Sequence, residues 1–339
     1  RMAIAKADKL DPLEIYEVPV IQEALVIGGG AAGLNAALNL ANQGFPVQII
    51  ERKERLGGNL HHLHYFSATS DAPIDTTPAQ YLNGLIQEIQ NHPNIQVHLN
   101  AELLETDGFK GNFSSTVQVH DQVVTIKHGV IIVATGGVEY KGSEYHYGQS
   151  DQIKTQQEFE AYLGQLALGN NGKTLPDRVT MIQCVGPSEK YCSRICCTTA
   201  LKNALKLKDL NPKADITIIN RDLRTYGFKE RLYTEARELG VRFIHFEFDQ
   251  KPSVNLGSNG KAGQEVNIQV WEPILQREID LPVDLLVLSN PIIPDPGTQN
   301  LANLLTFQQV LVKGPRVVLS LGPAPAPSDP QRRSIPSFP

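Results

Sequence analysis

The chain has 339 residues, 41% hydrophobic and 20% charged, a composition that supports a folded core and fits two compact domains or one large bipartite one. Its 31 basic and 36 acidic residues leave a net charge of −5 with no basic block, which argues against nucleic-acid binding. No apolar run approaches the roughly 18 residues of a membrane helix, and the start, Arg1-Met-Ala-Ile-Ala-Lys6, has no secretory h-region. A start at Arg1 points to a fragment of something longer, and the clustered thiols described below point to a reducing compartment, hence the cytoplasm.

In chain order, residues 1–21 read as a lead-in broken by Pro12 and Pro19. A short apolar strand at 24–27 meets a glycine-rich turn, Gly28 to Gly33, and an amphipathic helix at 34–43 stops at Gly44. A strand at 47–50 ends on Glu51, a helix at 78–92 opens on Thr77-Pro78, and a strand follows at 95–99. Residues 112–126 predict a β-meander, and 129–136 a buried strand with a turn. A second βαβ unit takes the strand 179–183, a cysteine-rich window, a helix to about residue 210 and the strand 216–220. A helix at 228–239, a strand at 241–247, an exposed hairpin or loop at 250–265 and a strand at 284–289 complete it. From Pro323 the proline-rich tail predicts no regular element. The two units echo each other, so the expected fold is α/β with two Rossmann-like dinucleotide-binding domains. The expected division is a lead-in at 1–21, a first domain at 22–150, an inserted one at 151–295, and a remnant with tail at 296–339.

Gly28, Gly30 and Gly33 sit between a strand and a helix, as a dinucleotide turn requires. The first permits the tight turn, the second lets backbone approach a pyrophosphate, and the third lets helix and strand pack closely. The helix N-terminus offers free N–H groups to the phosphates. Glu51, 23 residues after Gly28, can accept from a ribose hydroxyl. Two further segments, Leu56-Gly57-Gly58-Asn59 and Ala134-Thr135-Gly136, resemble motifs of the two-domain, thioredoxin-reductase-like flavoproteins, which favours FAD over NAD. Ala32, Arg52 and Leu103 join these as candidate cofactor-binding residues. His61, His62 and His64 read either as flavin-ring contacts and proton suppliers or as a polar surface loop.

All four cysteines lie in one 14-residue window, Cys184, Cys192, Cys196 and Cys197. Four thiolates are the ligand set of a [4Fe–4S] cluster or an all-cysteine zinc site. A vicinal pair fits zinc knuckles poorly, and a dithiol active site needs only two cysteines, so iron and sulfur are favoured. Buried free thiols, a redox disulfide and structural zinc stay as alternatives. The window stands where a second glycine-rich loop is expected, with only Gly186 remaining. Cys184 is expected at a strand end, Cys192 at the start of the next helix and Cys196 one turn on, with Lys190 and Arg194 adding positive charge. Trp271 and the segment Tyr145-His146-Tyr147 carry no readable chemistry.

The window, its continuation Tyr191-Cys-Ser-Arg-Ile-Cys-Cys-Thr-Thr-Ala-Leu-Lys202, and Arg221-Asp-Leu-Arg-Thr-Tyr-Gly-Phe228 resemble the heterodisulfide reductase A subunit with its short bacterial relatives. Those relatives belong to sulfur-oxidising and quinone-interacting complexes. The resemblance runs from about residue 1 to about 305. It implies FAD in the first domain and a [4Fe–4S] cluster on the four cysteines. It also implies a cytoplasmic multi-subunit electron-transfer complex containing a homodimer of this chain. It places Arg221 to Tyr226 near the gap between flavin and cluster. The resemblance does not extend to the long form's N-terminal cluster domain or its ferredoxin domains. The Gly-Asp or Gly-Ala motif that closes the flavin domain in the short form is not found after Leu305. The implied activity is electron transfer in disulfide or sulfane-sulfur metabolism. A stand-alone NAD(P)H-dependent flavin disulfide reductase and a zinc-stabilised scaffold are the other readings.

Overall fold

Short apolar runs bounded by glycine or proline build the first sheet. In the computed structural model these are β1 (Ala24–Ile27), β2 (Val47–Glu51), β3 (Ile95–Leu99) and, after the meander β4 (Ala101–Phe109), β5 (Asn112–Val119) and β6 (Gln122–His128), the strand β7 (Val130–Val133). They lie parallel in the order β3-β2-β1-β7. Helices α1 (Ala31–Asn42) and α2 (Pro78–Asn91) cover one face, with Leu34, Ala37, Leu85 and Ile89 against Val26 and Ile49. The start of α2 follows from its sequence: Thr77 Oγ1 accepts from the Gln80 N–H, Gln80 Oε1 accepts from the Thr77 N–H, and Pro78 fills the first turn. The antiparallel meander covers the other face, where Leu103, Val117 and Ile126 pack on Leu25, Ile27 and Ile50. Each such side chain, fully buried, stabilises the unit by about 1.5–3 kcal/mol. The meander starts one strand before the predicted 112–126.

The structure describes residues 19–67, 76–169, 174–189, 191–257 and 265–305, with the backbone of 308–312 and 316–320. Most of the lead-in, Lys190, the tip of the 250–265 loop and the proline-rich tail lie outside the described residues.

Through β8 (Gly137–Glu139) the chain enters a second unit of the same three-layer build. It runs β9 (Ile153–Thr155), α3 (Gln156–Ala167), β10 (Arg178–Ile182), α4 (Cys196–Leu210), β11 (Asp215–Asn220), α5 (Glu230–Glu238) and β12 (Arg242–His245). The meander β13 (Ser253–Gly257), β14 (Glu265–Glu272), β15 (Arg277–Val283) and the strand β16 (Leu285–Leu288) follow. The parallel order is β12-β11-β10-β16-β9. Helices α3, α4 and α5 bury Phe159, Leu163, Leu201, Leu207 and Leu232 on one face. The meander packs Val254, Val266, Ile268 and Val270 on the other. The chain returns through β17 (Ile292–Pro294), antiparallel to β8, to α6 (Thr298–Leu304), which packs on the first unit through Leu301, and then to the hairpin β18 (Gln308–Val312) and β19 (Arg316–Ser320). The sequence pattern does not single out α3 or most of the second meander, although Val266, Ile268 and Val270 alternate as a half-buried strand should. Helix α4 starts at Cys196, not Cys192, because a one-turn helix at Gly186–Glu189 and a loop at 191–195 take up the intervening chain.

Candidate functional site

The glycine-rich turn shows three different reasons for glycine. Gly28 has φ 114°, and a Cβ there would lie 2.4 Å from the Ala134 carbonyl oxygen. A Cβ on Gly33 would lie 1.9 Å from the Gly28 carbonyl oxygen, so the helix could not approach the strand. At Gly30 nothing lies within 4 Å, which leaves open space at the mouth of α1. No side chain caps that helix, so its first N–H groups are available to an anion.

Segments far apart in sequence meet at this turn. The Gly57 N–H donates to Gly29 O at 2.7 Å, and a Cβ on Gly58 would lie 3.1 Å from Gly30 Cα. Asn59 Nδ2 donates to Gly137 O at 2.9 Å, and the Ala134 N–H donates to Ile27 O at 2.8 Å. Gly28, Glu51, Arg52, Leu103 and Thr135 line one cavity of about 240 Å³. Ala32 is exposed in the first turn of α1, and Gly136 follows Thr135 with φ 67°. Buried Glu51 accepts from the Gly29 N–H at 2.7 Å and the Lys53 N–H at 2.9 Å. Its carboxylate thus fixes the turn and keeps lone pairs for a further donor.

The same cavity is closed by residues that no local motif marks. Asp295 holds Arg52 in a two-pronged ion pair, with Nη1 to Oδ1 at 2.6 Å and Nη2 to Oδ2 also in contact. The guanidinium holds the Asp295 carboxyl below its usual range. Thr298 and Leu301 of α6 complete the wall. An acid between Pro294 and Pro296 was the signal available, but only the fold brings it to Arg52. Of the histidines, His61 Nε2 contacts Leu56 O at 2.7 Å, and the His64 N–H donates to Glu160 Oε1 at 3.0 Å. Burial, with Lys53 nearby, lowers the His62 pKa.

The second unit has a turn at the equivalent place. The Gln183 N–H donates to Ile219 O at 2.9 Å, as the Gly28 N–H donates to Ile50 O. The Ser289 N–H donates to Ile182 O, as Ala134 does to Ile27. Gln183 therefore stands for Gly28, Cys184 for Gly29, and Asn220-Arg221 for Glu51-Arg52. Cys184 has φ 60° and Gly186 φ 56°. In the same register Val185 stands for Gly30, and a Cβ on the following Gly186 would meet Tyr140 Cε1 at 2.5 Å and Glu144 Oε1 at 2.9 Å, so side chains crowd this turn where Gly30 is open.

Four free cysteines, Cys184, Cys192, Cys196 and Cys197, line one small cavity with Arg194, Arg221 and Arg224. Cys184 follows β10, Cys192 lies in the loop, and Cys196-Cys197 open α4, which corrects the expected placement of Cys192 in the helix. Ser193 Oγ lies 2.9 Å from Cys196 Sγ, and the Arg194 N–H donates to Cys192 Sγ at 3.3 Å. The Cys197 thiol donates to Asp222 O at 3.6 Å. Burial pushes the Cys184 and Cys196 thiols up and Cys197 to about 12, while Arg221 pulls Cys184 back. Among the described residues no three His, Cys, Asp or Glu side chains converge closely enough to hold a metal ion. A tetrathiolate zinc site needs its sulfurs about 3.8 Å apart, given a Zn–S length near 2.3 Å. The donor chemistry is nonetheless that of a thiolate-bound centre: four sulfurs, no imidazole among them, and guanidinium groups to offset negative charge. Two further polar groups line this cavity without partners among the described residues, the amide of Gln183 (1% exposed) and the hydroxyl of Ser188 (4%). Leaving such a group unpaired costs about 1–3 kcal/mol.

Comparison with known proteins agrees with this architecture. Residues 22–168 match the pyridine nucleotide-disulphide oxidoreductase family. Over 91% of its length the chain is 26% identical to the A subunit of the ferredoxin:CoB-CoM heterodisulfide reductase of Methanosarcina acetivorans, covering 53% of that protein. It is 27% identical over 89% to the A subunit of the H(2):CoB-CoM heterodisulfide,ferredoxin reductase of Methanothermobacter marburgensis, covering 58% of it. The chain thus spans just over half the length of these relatives. Among solved structures, Lactococcus lactis thioredoxin reductase superposes with a TM-score of 0.51 at 16% identity, over 81% of this chain and 78% of that one. The chain is thus similar over about 90% of its length to heterodisulfide reductase A subunits, and its α/β fold is that of thioredoxin reductase. Among the described residues no helix is long and apolar enough to cross a membrane.

Proposed function

We propose that this chain is a homologue of the heterodisulfide reductase A subunit, an oxidoreductase component that binds FAD at its first turn and a [4Fe–4S] cluster at its second. It carries electrons within a cytoplasmic heterodisulfide-reductase-like complex, as a homodimer, toward disulfide or sulfane-sulfur chemistry. The observation that carries this reading is the pair of equivalent turns, one open to an anion at Gly30 and the other lined by four thiols.

In the first unit, Gly28, Gly30 and Gly33 admit the pyrophosphate to the α1 N-terminus, Glu51 accepts from the ribose, and the Gly57-Gly58-Asn59 loop and Ala134-Thr135-Gly136 border the rest. Arg52 is fixed by Asp295 beside the cavity, and Leu103 lines it. In the second, Cys184, Cys192, Cys196 and Cys197 supply the sulfur ligands, and Arg194, Arg221 and Arg224 offset their negative charge. Since burial favours the neutral thiols, ligation releases protons. The flavin supplies the switch between two-electron and one-electron chemistry, and the chain supplies position and potential. Tyr140 and Glu144 over Gly186 disfavour a pyridine nucleotide at the second turn, because a carboxylate repels a pyrophosphate.

Anaerobic purification with assay of iron, acid-labile sulfide, zinc and flavin tests this. About four iron and four sulfide with a flavin band is the expected result. Zinc, or no metal, overturns the cluster, and iron without flavin overturns the first site.

A further inference from the structure

Gln183 occupies the position that Gly28 holds in the first unit, where a side chain has no room. In the second unit the side chain is accommodated, and it is almost wholly buried at 1% exposure. Among the described residues neither its Nε2 nor its Oε1 finds a partner, yet it lines the same cavity as the four thiols. Ser188, in the one-turn helix between Cys184 and Cys192, repeats the pattern: 4% exposed, on the same cavity, its hydroxyl unpaired. Buried polar groups are rarely left unpaired, so two on one small cavity point to an absent acceptor. The sulfurs of a thiolate-bound cluster are such acceptors, and hydrogen bonds to them are one of the protein's means of setting a cluster's potential.

We propose that Gln183 Nε2 and Ser188 Oγ are positioning groups that donate hydrogen bonds to the sulfur atoms of the centre held by the four cysteines and keep its reduction potential high. The inference rests on the cluster reading above. Reduction adds one electron and breaks no bond. A donor aimed at sulfur therefore favours the reduced, more negative form, and losing it makes the centre harder to reduce.

The test is an EPR-monitored redox titration of anaerobically purified holoprotein, with dithionite as reductant, comparing wild type, Gln183→Met and Ser188→Ala. Each variant is expected to keep its iron and flavin and to shift the one-electron equilibrium about tenfold toward the oxidised form, which is 59 mV. Gln183→Glu, which keeps the shape but removes the donor and adds charge, is expected to shift it further in the same direction. Unchanged potentials in iron-replete variants overturn the proposal. Where Gln183→Met fails to retain iron, wild-type protein labelled with ¹⁵N in its glutamine amides decides: a nitrogen coupling to the reduced cluster supports the hydrogen bond, and its absence overturns it. A wild type without iron is a different failure, since it removes the proposed function itself before any variant is compared.

Discussion

The turn after β1 and the turn after β10 occupy equivalent places in two equivalent sheets, yet they are lined differently. The first keeps glycine where a side chain would strike backbone and leaves Gly30 open to an incoming anion. The second puts Gln183 and Cys184 at the corresponding positions, fills the space over Gly186 with Tyr140 and Glu144, and turns four thiols onto one cavity. Beside them Glu51-Arg52 becomes Asn220-Arg221, so the acid suited to a ribose hydroxyl is replaced by an amide while the cation stays. A parallel sheet with helices on one face leaves a crevice at its strand ends whatever the residues there, and the residues at the first βα turn decide what fills it.

The largest effect is expected from breaking the second turn alone. Cys197→Ser should reduce bound iron from about four per chain to near zero while flavin content stays unchanged. Loss of both together would show that the two sites are not separable.

Next comes the contrast inside the first turn. Gly33→Ala places a Cβ against the Gly28 carbonyl, which cannot yield, and should cost about 3 kcal/mol in chemical denaturation. Gly30→Ala meets open space and should cost about 1 kcal/mol or less while weakening flavin binding at least tenfold. Equal effects on stability would mean that Gly30 is structural.

Within the second unit a buried ion pair holds Lys202 of α4 to Glu160 of α3 at 2.7 Å, and Glu160 also accepts the His64 N–H from the first unit at 3.0 Å. Tyr65 adds to it, with its ring 4.9 Å from Lys202 Nζ and its hydroxyl donating to Asn203 at 2.6 Å. Lys202→Met leaves the Glu160 carboxylate buried without its cation, and about 3 kcal/mol of stability should be lost. A fall below about 1 kcal/mol would indicate that the pair is solvated in solution.

The smallest effects are opposed pH slopes. Burial raises Glu139, on the crossing strand β8, from 4.5 to about 7, despite its bond from Thr155. Its native form binds more protons than the unfolded chain in that window, so it makes stability fall as pH rises from 4.5 to 7. Burial lowers His128, in β6 of the first unit, from 6.5 to about 4. The unfolded chain then binds more protons, so this group makes stability rise with pH between 4 and 6.5. Denaturant titrations from about pH 4.5 to about pH 7 should show Glu139→Gln making the slope more positive and His128→Gln making it more negative. The same sign for both would contradict the assigned burial effects.

Local patterns along the chain were enough for β1, β2, β10 and β11, since short apolar runs ending in a turn or polar residue need no tertiary partner to be recognised. The Thr77-Pro78 start of α2 was legible for the same reason, because a capping box is a contact between neighbours in sequence. The glycine spacing and the cysteine window also marked residues that the fold gathers at the two turns, though not what they bind. The tertiary structure decided what depends on distant partners: that Asp295 closes the cavity on Arg52, that Glu51 fixes its own turn, and that Cys192 stands off the helix. It alone placed Gln183 in the position of Gly28 with its amide unpaired beside the thiols. Periodicity reports how a segment meets a core, but a pairing across 243 residues of chain, such as Arg52 with Asp295, leaves no mark on either neighbourhood.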